Sequence, residues 1–174
     1  MLDPQARYLF FSGLDIELML RVLLAFVLGG IIGYERESIH RPAGLRTHML
    51  VAAGSAAFTE ASIYAFVGEG TVRDPARLAA QIVTGIGFLG AGTIWRTPST
   101  VRGLTTAASI WLVAAAGLLA GSGMYVIAIF TTLCGFITLR WGRPPARRRR
   151  LISGEPSIVG AEHEHEEDEE LVVD

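Results

Sequence analysis

The sequence predicts an all-α integral membrane protein of about five transmembrane helices, with its N-terminus outside the cell and its C-terminus in the cytoplasm. Three observations support this fold class. Hydrophobic residues make up 51% of the 174 residues, and the mean hydropathy is +0.41 although two strongly polar stretches lower it. The apolar residues fall into five runs, and the arginines of this lysine-free chain are distributed unevenly between those runs. Such a composition is typical of membrane proteins.

Each apolar run has roughly the 17 to 25 residues that a helix needs to cross a bilayer, and the last run is the shortest. The runs are continuous rather than alternating, which favours helices over the strands of a membrane barrel. A helix also satisfies its own backbone hydrogen bonds in hydrocarbon. The five predicted spans are Ile16 to Tyr34, Thr47 to Val67, Leu78 to Trp95, Leu104 to Ala120 and Met124 to Leu139.

The arginines set the predicted orientation, because loops on the cytoplasmic side carry an excess of basic residues. With a cytoplasmic C-terminus, eleven arginines lie inside, and four lie outside or, like Arg21, near the outer end of the first span. The chain then divides into a short extracytoplasmic N-terminus over residues 1–15, a transmembrane domain over 16–140 and a cytoplasmic tail over 141–174.

The tail is basic at its start, at Arg147 to Arg150, and acidic from Glu162 to Glu170. The basic run would face anionic lipid headgroups, and the polar composition predicts disorder. His163-Glu164-His165 could bind divalent cations loosely, but a solvated acidic tail is the simpler interpretation because nothing rigid fixes a coordination geometry. The sequence therefore predicts neither a metal site nor a cofactor.

Four glycines lie within eight residues of the third span, at Gly85, Gly87, Gly90 and Gly92. They contain the spacing of the dinucleotide motif G-x-G-x-x-G, but that motif requires a preceding strand and a βαβ unit. Glycine in a membrane helix instead permits close packing of helices. An alternative is that the glycines loosen this helix, so that its carbonyl groups line a polar cavity. Close packing is also predicted at Gly29 and Gly33 in the first span and at Gly117 and Gly121 in the fourth.

Polar residues at membrane depth need an explanation, because an ionisable group at mid-span costs about 2.5 to 3.5 kcal/mol. Glu60 lies near the middle of the second span, and Gln81 and Thr84 lie one turn apart in the third. They predict a polar site shared between helices. The alternative is a protonated Glu60 that is hydrogen-bonded to one neighbour.

Asp74 and Arg77 lie near the predicted outer mouth and are expected to pair with each other or with Glu17. Asp74 is also followed by Pro75. Aspartate is a favoured N-cap and proline suits the first helical position, so a helix is predicted to begin here.

Two predicted cytoplasmic loops carry charged and hydroxyl residues directly beside the ends of spans. Anchoring by positive charge explains the arginines but not the glutamates or the hydroxyl groups. The loops are therefore predicted to form one polar site at the cytoplasmic mouth. Its residues are Glu35, Arg36, Arg46 and Thr47 from the first loop and Arg102, Thr105 and Thr106 from the second.

The sequence offers no basis for an enzyme or a nucleic-acid-binding protein. A serine–histidine–aspartate triad, an H-E-x-x-H zinc motif and a P-loop cannot be assembled from it. The single cysteine, Cys134, excludes a disulfide within the chain and is expected to be a buried packing residue.

Four stretches match, in order, the motifs of a known family: GGIIGYERE at 29–37, RPAGLRTH at 41–48, DPARLAAQIVTGIGFLGAGTI at 74–94 and VRGLTTAASIW at 101–111. Together they resemble the membrane domain of the MgtC/SapB family over roughly residues 16 to 140. The resemblance implies a multi-pass protein of the bacterial plasma membrane, in a family linked to magnesium limitation, acid tolerance and survival inside macrophages. It favours regulation of other membrane proteins, such as cation transporters or the F-type ATP synthase, over direct magnesium transport.

The pathogen-type members of that family carry an ACT-like cytoplasmic domain after the last span, and the 35 residues after Leu139 are expected to be too few for one. Two functions stay open. One is a regulatory or ion-homeostasis protein that contacts another membrane protein. The other is a small transporter or channel for a cation or small solute, built from several copies of the chain because five short helices enclose little space. A transporter should need Glu60, Gln81 and the glycine run, whereas a regulator could lose Glu60.

Overall fold

The computed structural model describes residues 13–65 and 74–142, which are almost entirely helical. The prediction of five helices is confirmed. The predicted N-terminal segment up to residue 12 and the tail from residue 143 lie outside the described residues. The helices are α1 Gly13–Ser38, α2 Leu45–Glu60, α3 Pro75–Gly92, α4 Leu104–Gly121 and α5 Tyr125–Trp141. A π-helical turn, Ala61–Ala65, continues α2, and two short strands, β1 Trp95–Arg96 and β2 Val101–Arg102, lie between α3 and α4.

Helix α1 extends further than predicted. It continues to Ser38, so Glu35, Arg36 and Glu37 belong to a helix and not to the loop in which their charges placed them. The reason is that Glu35 and Arg36 form a buried ion pair with each other, and Glu37 accepts a hydrogen bond from the backbone of Leu45. These charges are therefore satisfied while the helix continues.

The start of α3 confirms the predicted cap. The Asp74 carboxylate accepts a hydrogen bond of 3.1 Å from the amide of Ala76, and Pro75 occupies the first turn. An N-cap carboxylate satisfies one of the amide groups that a helix leaves unpaired at its start. Helix α3 ends at Gly92, three residues before the predicted end at Trp95, because Trp95 belongs to strand β1.

An antiparallel hairpin, which was not predicted, joins α3 to α4. Strands β1 and β2 pair with each other, and Gly103 follows them with φ +91°. Glycine adopts such a conformation without a steric penalty. A β-carbon at Gly103 would overlap the carbonyl oxygen of Thr93. Gly103 thus holds the end of α3 against the start of α4.

Consecutive helices run in opposite directions. Gly29 of α1 lies against His48 of α2, and Gly33 lies against Leu45. Residue numbers thus increase along α1 in the direction in which they decrease along α2, so the two helices are antiparallel. Helices α3 and α4 are antiparallel through the hairpin, and α4 reverses into α5 at Ser122 to Met124. The chain therefore passes five times between the two ends of the bundle.

Helix α2 lies in direct backbone contact with α1 on one side and α4 on the other. A β-carbon at Gly29 would lie 2.5 Å from the carbonyl oxygen of His48, and one at Gly121 would lie 2.6 Å from that of Ala56. A β-carbon at Gly117 would overlap the carbonyl oxygen of Ala52. The packing role predicted for the glycines of α1 and α4 is confirmed, since helices approach this closely only where side chains are small.

The core beside these contacts consists mainly of small residues. Its buried members are Ala25, Leu28, Ile32, Ala52, Ala56, Val113, Ala120 and Ala128. A second, smaller cluster joins α3 to α4 and contains Ala43, Ile86, Ile110 and Ala114. Many of the large apolar side chains of the bundle are exposed on its outer surface, Phe88 and Val126 among them. Cys134 is also exposed on α5, so its predicted burial is wrong.

Two of the described helices, Gly13–Ser38 and Leu104–Gly121, are long and apolar enough to cross a membrane. Ala76–Gly92 and Tyr125–Trp141 are apolar but shorter. Length and composition therefore agree with membrane crossing for part of the bundle, and the five-span arrangement with its orientation stays a prediction.

The contact between α2 and α4 predicts that alanine substitutions at Gly117 and Gly54 have different effects on the free energy of unfolding. Gly117→Ala should destabilise the protein by about 1–3 kcal/mol, because the new β-carbon meets backbone that cannot move aside. Gly54→Ala is the matched control. Among the described residues, no atom outside the local backbone of α2 lies within 4 Å of a β-carbon there, so alanine should be neutral or stabilise α2 by up to about 1 kcal/mol. Thermal unfolding in detergent measures both, and equal losses in the two variants would contradict this packing.

Candidate functional site

The residues predicted to form polar sites lie at the two ends of the bundle. One end, here called the Arg36 end, is where α1 finishes and α2 and α4 begin. The opposite end, where α1 and α5 begin, is called the Arg21 end. Glu35, Arg36, Arg46, Thr47, Arg102, Thr105 and Thr106 belong to the Arg36 end, and Asp74, Arg77 and Gln81 lie on the half of α3 toward the Arg21 end, as Glu60 does on α2. The glycines from Gly85 to Gly92 lead along α3 toward the Arg36 end.

A buried ion pair forms the centre of the Arg36 end. Arg36 Nε donates to Glu35 Oε2 at 2.7 Å, and both side chains are 3% exposed. Breaking a buried pair by removing one partner is costly, because the remaining charge stays buried without compensation. Glu35 and Arg36, which were both predicted to belong to the polar site, are thus paired with each other and inaccessible from outside.

A buried histidine connects α2 to α4 beside this pair. His48 Nδ1 donates to the carbonyl oxygen of Gly44 at 2.8 Å, and Nε2 lies 3.0 Å from the hydroxyl oxygen of Ser109. The same hydroxyl oxygen lies 2.8 Å from the carbonyl oxygen of Thr106, so it can donate to either group. Thr106 is buried here, as a polar site requires.

The remaining predicted residues of the Arg36 end do not join this cluster. Arg46 and Thr47 are exposed on the first turn of α2, and Arg102 and Thr105 are exposed on and after the hairpin. All four side chains are accessible at the Arg36 end of the bundle. The end therefore consists of an inner, hydrogen-bonded layer and an outer, accessible layer, which the sequence could not separate.

The Arg21 end is organised by one arginine that connects four elements. Arg21 pairs with Glu17 on α1, donates from Nε to the hydroxyl of Tyr125 at 3.0 Å, and donates from one terminal nitrogen to the carbonyl oxygen of Gly121 at 3.1 Å. The same nitrogen lies 3.3 Å from the hydroxyl of Tyr64 in the π-helical turn. A cation at the C-terminus of α4 is also favoured by the helix dipole.

Glu60 lies at this end with an unsatisfied oxygen. The residue is 8% exposed, and its Oε1 is a buried side-chain oxygen without a hydrogen-bond partner in the described structure. Tyr64, a hydrogen-bond partner of Arg21, lies four residues after Glu60. Asp74, Arg77 and Gln81 are exposed on α3. Glu17 pairs with Arg21, and not with Arg77 as one of the predicted pairings had it.

Most of this second cluster was not predicted from the sequence. Arg21 was predicted to lie near the outer end of the first span, and no partner was predicted for it. The hydroxyl groups that it bonds belong to residues 43 and 104 positions away. The available signal was the depth of Arg21 within an apolar run, since a buried arginine requires acceptors.

The glycines of α3 differ from those of α1 and α4. Within the described chain no atom lies within 4 Å of a β-carbon placed at Gly85, Gly87 or Gly92, and Gly90 makes only ordinary contact with Ala107. Helix α3 is nevertheless continuous, so its carbonyl groups are not freed to line a cavity. Within the described chain Gly90 packs against α4, whereas Gly85, Gly87 and Gly92 make no such contact, and a packing role for these three stays a prediction.

An apolar groove of about 570 Å³ separates α3 from α2. Gln81 and Gly85 contribute to its wall on α3, opposite Gly54 and Ser55 on α2. Among the described residues, no three histidine, cysteine, aspartate or glutamate side chains lie together in a way that could hold a metal ion. The groove is lined mainly by apolar side chains, among them Leu50, Phe58 and Leu89.

Comparison with known proteins agrees with the motifs. Residues 22–148 match the model of the MgtC family. The chain is 44% identical over 127 residues to "Putative magnesium transporter YhiD" of Escherichia coli K12, which covers 71% of this chain and 59% of the relative. It is 50% identical over 109 residues to "Protein MgtC" of Brucella abortus, covering 63% and 44% of the two chains.

A third relative, "Protein MgtC" of Salmonella typhimurium LT2, is 47% identical over 125 residues, covering 70% of this chain and 52% of that protein. The chain therefore spans about half the length of the curated relatives it matches. No solved structure matches it.

The Arg36 end yields a stability prediction. Glu35→Gln should destabilise the protein by roughly 3 kcal/mol, because it leaves the Arg36 guanidinium buried beside a neutral amide. Arg46→Gln, an exposed change at the same end, should alter stability by no more than about 0.5 kcal/mol. Unfolding in detergent, followed by circular dichroism, compares the two variants. Equal effects would mean that the pair is not buried in the folded protein.

Proposed function

Because the chain belongs to the MgtC family, we propose that it is a multi-pass protein of the bacterial plasma membrane that acts in magnesium homeostasis by binding and regulating another membrane protein. The magnesium assignment is supported by the name of the Escherichia coli relative. The regulatory assignment rests on the geometry of the bundle.

Membrane location is supported by where the apolar side chains lie. Large hydrophobic residues of α1, α3 and α5 face outward, including Leu23, Phe88 and Phe130, whereas soluble proteins rarely expose large contiguous apolar surfaces. The alternating helix directions would carry the chain across a bilayer five times. The arginine distribution then favours a cytoplasmic Arg36 end.

One observation carries the regulatory proposal: the centre of the bundle is closed. Helices α1, α2 and α4 touch backbone to backbone at Gly29, Gly117 and Gly121, which leaves no passage between them in the described structure. Hydrogen-bonded clusters around Arg36 and Arg21 close the two ends. An ion pathway needs polar groups or water along its length, so a single copy is poorly suited to conduct ions.

Helix α3 supports an interaction with another helix. Ala80, Thr84, Gly87 and Ala91 are spaced i, i+4, i+7 and i+11 and are all exposed, so they lie on one face. Small residues on a membrane-facing helix let a second backbone approach closely. This face, called the small-residue face of α3, is the surface we assign to the partner, with a cation transporter or the ATP synthase as candidate partners.

The alternative function is a cation or solute transporter built from several copies. Gln81 and Thr84 support it, because both are polar, both are exposed on α3, and a ring of α3 helices could place them around a common axis. In that arrangement the pathway would run between chains and not through the closed centre of one chain.

The five-span topology is tested by cysteine labelling. In a Cys134→Ser background, Met124→Cys places an exposed thiol between α4 and α5, and Ser99→Cys places one in the hairpin at the other end. A membrane-impermeant maleimide should label the Met124→Cys protein in whole cells and the Ser99→Cys protein only after permeabilisation. The reverse pattern would invert the orientation. Labelling of both in whole cells would exclude a membrane between the two positions.

Regulation and transport are separated by comparing flux with growth. Purified protein in liposomes should give no magnesium influx above empty liposomes. In a deletion strain at limiting magnesium, wild type should restore growth and Gly87→Leu should not, because leucine fills the small-residue face of α3. Val126→Phe adds bulk to an exposed position of α5 and is the control that should still restore growth. Influx by wild type that Gly87→Leu abolishes would establish the transporter instead.

A further inference from the structure

Glu60 is a buried acid at the last position of α2, at the Arg21 end of the bundle. Its Oε1 has no hydrogen-bond partner in the described structure, and the residue is 8% exposed. A carboxylate that is buried without a partner is unfavourable, and a buried carboxyl group of this kind therefore takes up a proton and becomes neutral. The folded bundle therefore favours a proton on Glu60 as long as no cation reaches it.

Arg21 lies at the same end of the bundle, and its guanidinium group already interacts with other residues. Arg21 pairs with Glu17, whose side chain is half exposed, and it also contacts the hydroxyl groups of Tyr64 and Tyr125. Glu60 lies between two positions that Arg21 reaches: Arg21 donates to the carbonyl oxygen of Gly121, which packs against Ala56 one turn before Glu60, and to the hydroxyl of Tyr64 four residues after it. Two carboxyl groups thus compete for one guanidinium, one half exposed to the exterior and one buried.

The groups around Arg21 come from four described elements. Helix α1 supplies Glu17 and Arg21, the π-helical turn supplies Tyr64, α5 supplies Tyr125, and α4 supplies the carbonyl oxygen of Gly121. Helix α3 also packs against α2 and the π-helical turn, and its charged residues Asp74 and Arg77 are exposed. The π-helical turn directly follows Glu60. Such turns are rare and occur frequently at functional sites. Tyr64, a hydrogen-bond partner of Arg21, lies in this turn four residues after Glu60.

We propose that Glu60 is a proton-binding site, and that release of its proton transfers the Arg21 ion pair from Glu17 to Glu60. In the protonated state the carboxyl group is neutral and Arg21 stays with Glu17. When the proton leaves to water, the new carboxylate accepts a hydrogen bond from the Arg21 guanidinium, and Glu17 is released to solvent. Proton binding at one residue thereby changes which elements Arg21 connects.

This site requires only the folded bundle, so its test is independent of whether the protein regulates or transports. The full-length protein in liposomes is titrated while the infrared band of a carboxylic-acid carbonyl is followed. Wild type should show a band that disappears as the pH rises, and Glu60→Gln should lack it. Asp74→Asn is the control, since it changes an exposed acid at the same end, and asparagine caps a helix as well as aspartate does.

Two further variants test the exchange of Arg21. Glu17→Gln removes the competing acid and leaves Arg21 free for Glu60, so the band should disappear at a pH lower by roughly one unit. Arg21→Gln removes the cation, so the band should persist to a pH higher by roughly one unit or more. The first change lies at a half-exposed position and should leave the fold intact, which keeps the test valid if Arg21→Gln does not fold.

Opposite shifts in the two variants, with the band absent from Glu60→Gln, are the expected result. A wild-type spectrum without such a band, or a band that survives Glu60→Gln, would overturn the proton site. A band that depends on Glu60 but does not move in Glu17→Gln would overturn the exchange of Arg21 between the two acids.

Discussion

The backbone contact of α2 with α1 and α4 is the constraint on which the rest of the structure depends. Where Gly29, Gly117 and Gly121 meet the carbonyl groups of α2, no side chain fits between the helices. Stability must then come from many short contacts between backbones and small side chains, each worth little alone. Large side chains are few in this interior, with Leu28, Ile32 and Ile110 among them, whereas Leu50 and Phe58 of α2 are exposed. The apolar exterior of the bundle is thus a result of its closely packed interior.

The same constraint confines charge to the ends. A bundle whose middle is closed has no polar environment there, so a buried ionisable group must find its partners where helices begin or finish and unpaired backbone groups are available. Arg21 uses the carbonyl oxygen of Gly121 at the end of α4, and His48 uses that of Gly44 before the start of α2. Polar groups in this protein therefore stabilise the ends of helices and at the same time define the two candidate sites.

Much of the fold could be predicted because hydropathy reports continuous apolar helices directly. What could not be predicted depends on distant residues. Glu35 and Arg36 read as a loop because they are charged, and only their mutual burial shows that α1 continues through them. The glycines of α3 and those of α4 have similar spacing in the sequence. In the described chain, however, Gly117 contacts the backbone of α2, whereas no neighbouring helix contacts Gly87. The spacing of glycines does not predict which helix packs against them. The π-helical turn and the role of Tyr64 leave no recognisable pattern in the sequence.

The hairpin between α3 and α4 has a geometric consequence. Because Gly103 brings the backbone of β2 against Thr93, the two helices share a corner whose backbone atoms are in contact. A rotation of α3 about that corner would move each residue by an amount that grows with its distance from the corner. Leu78 would move further than Leu89, although both line the same groove. Such a rotation would widen the groove most at the end opposite to the hairpin.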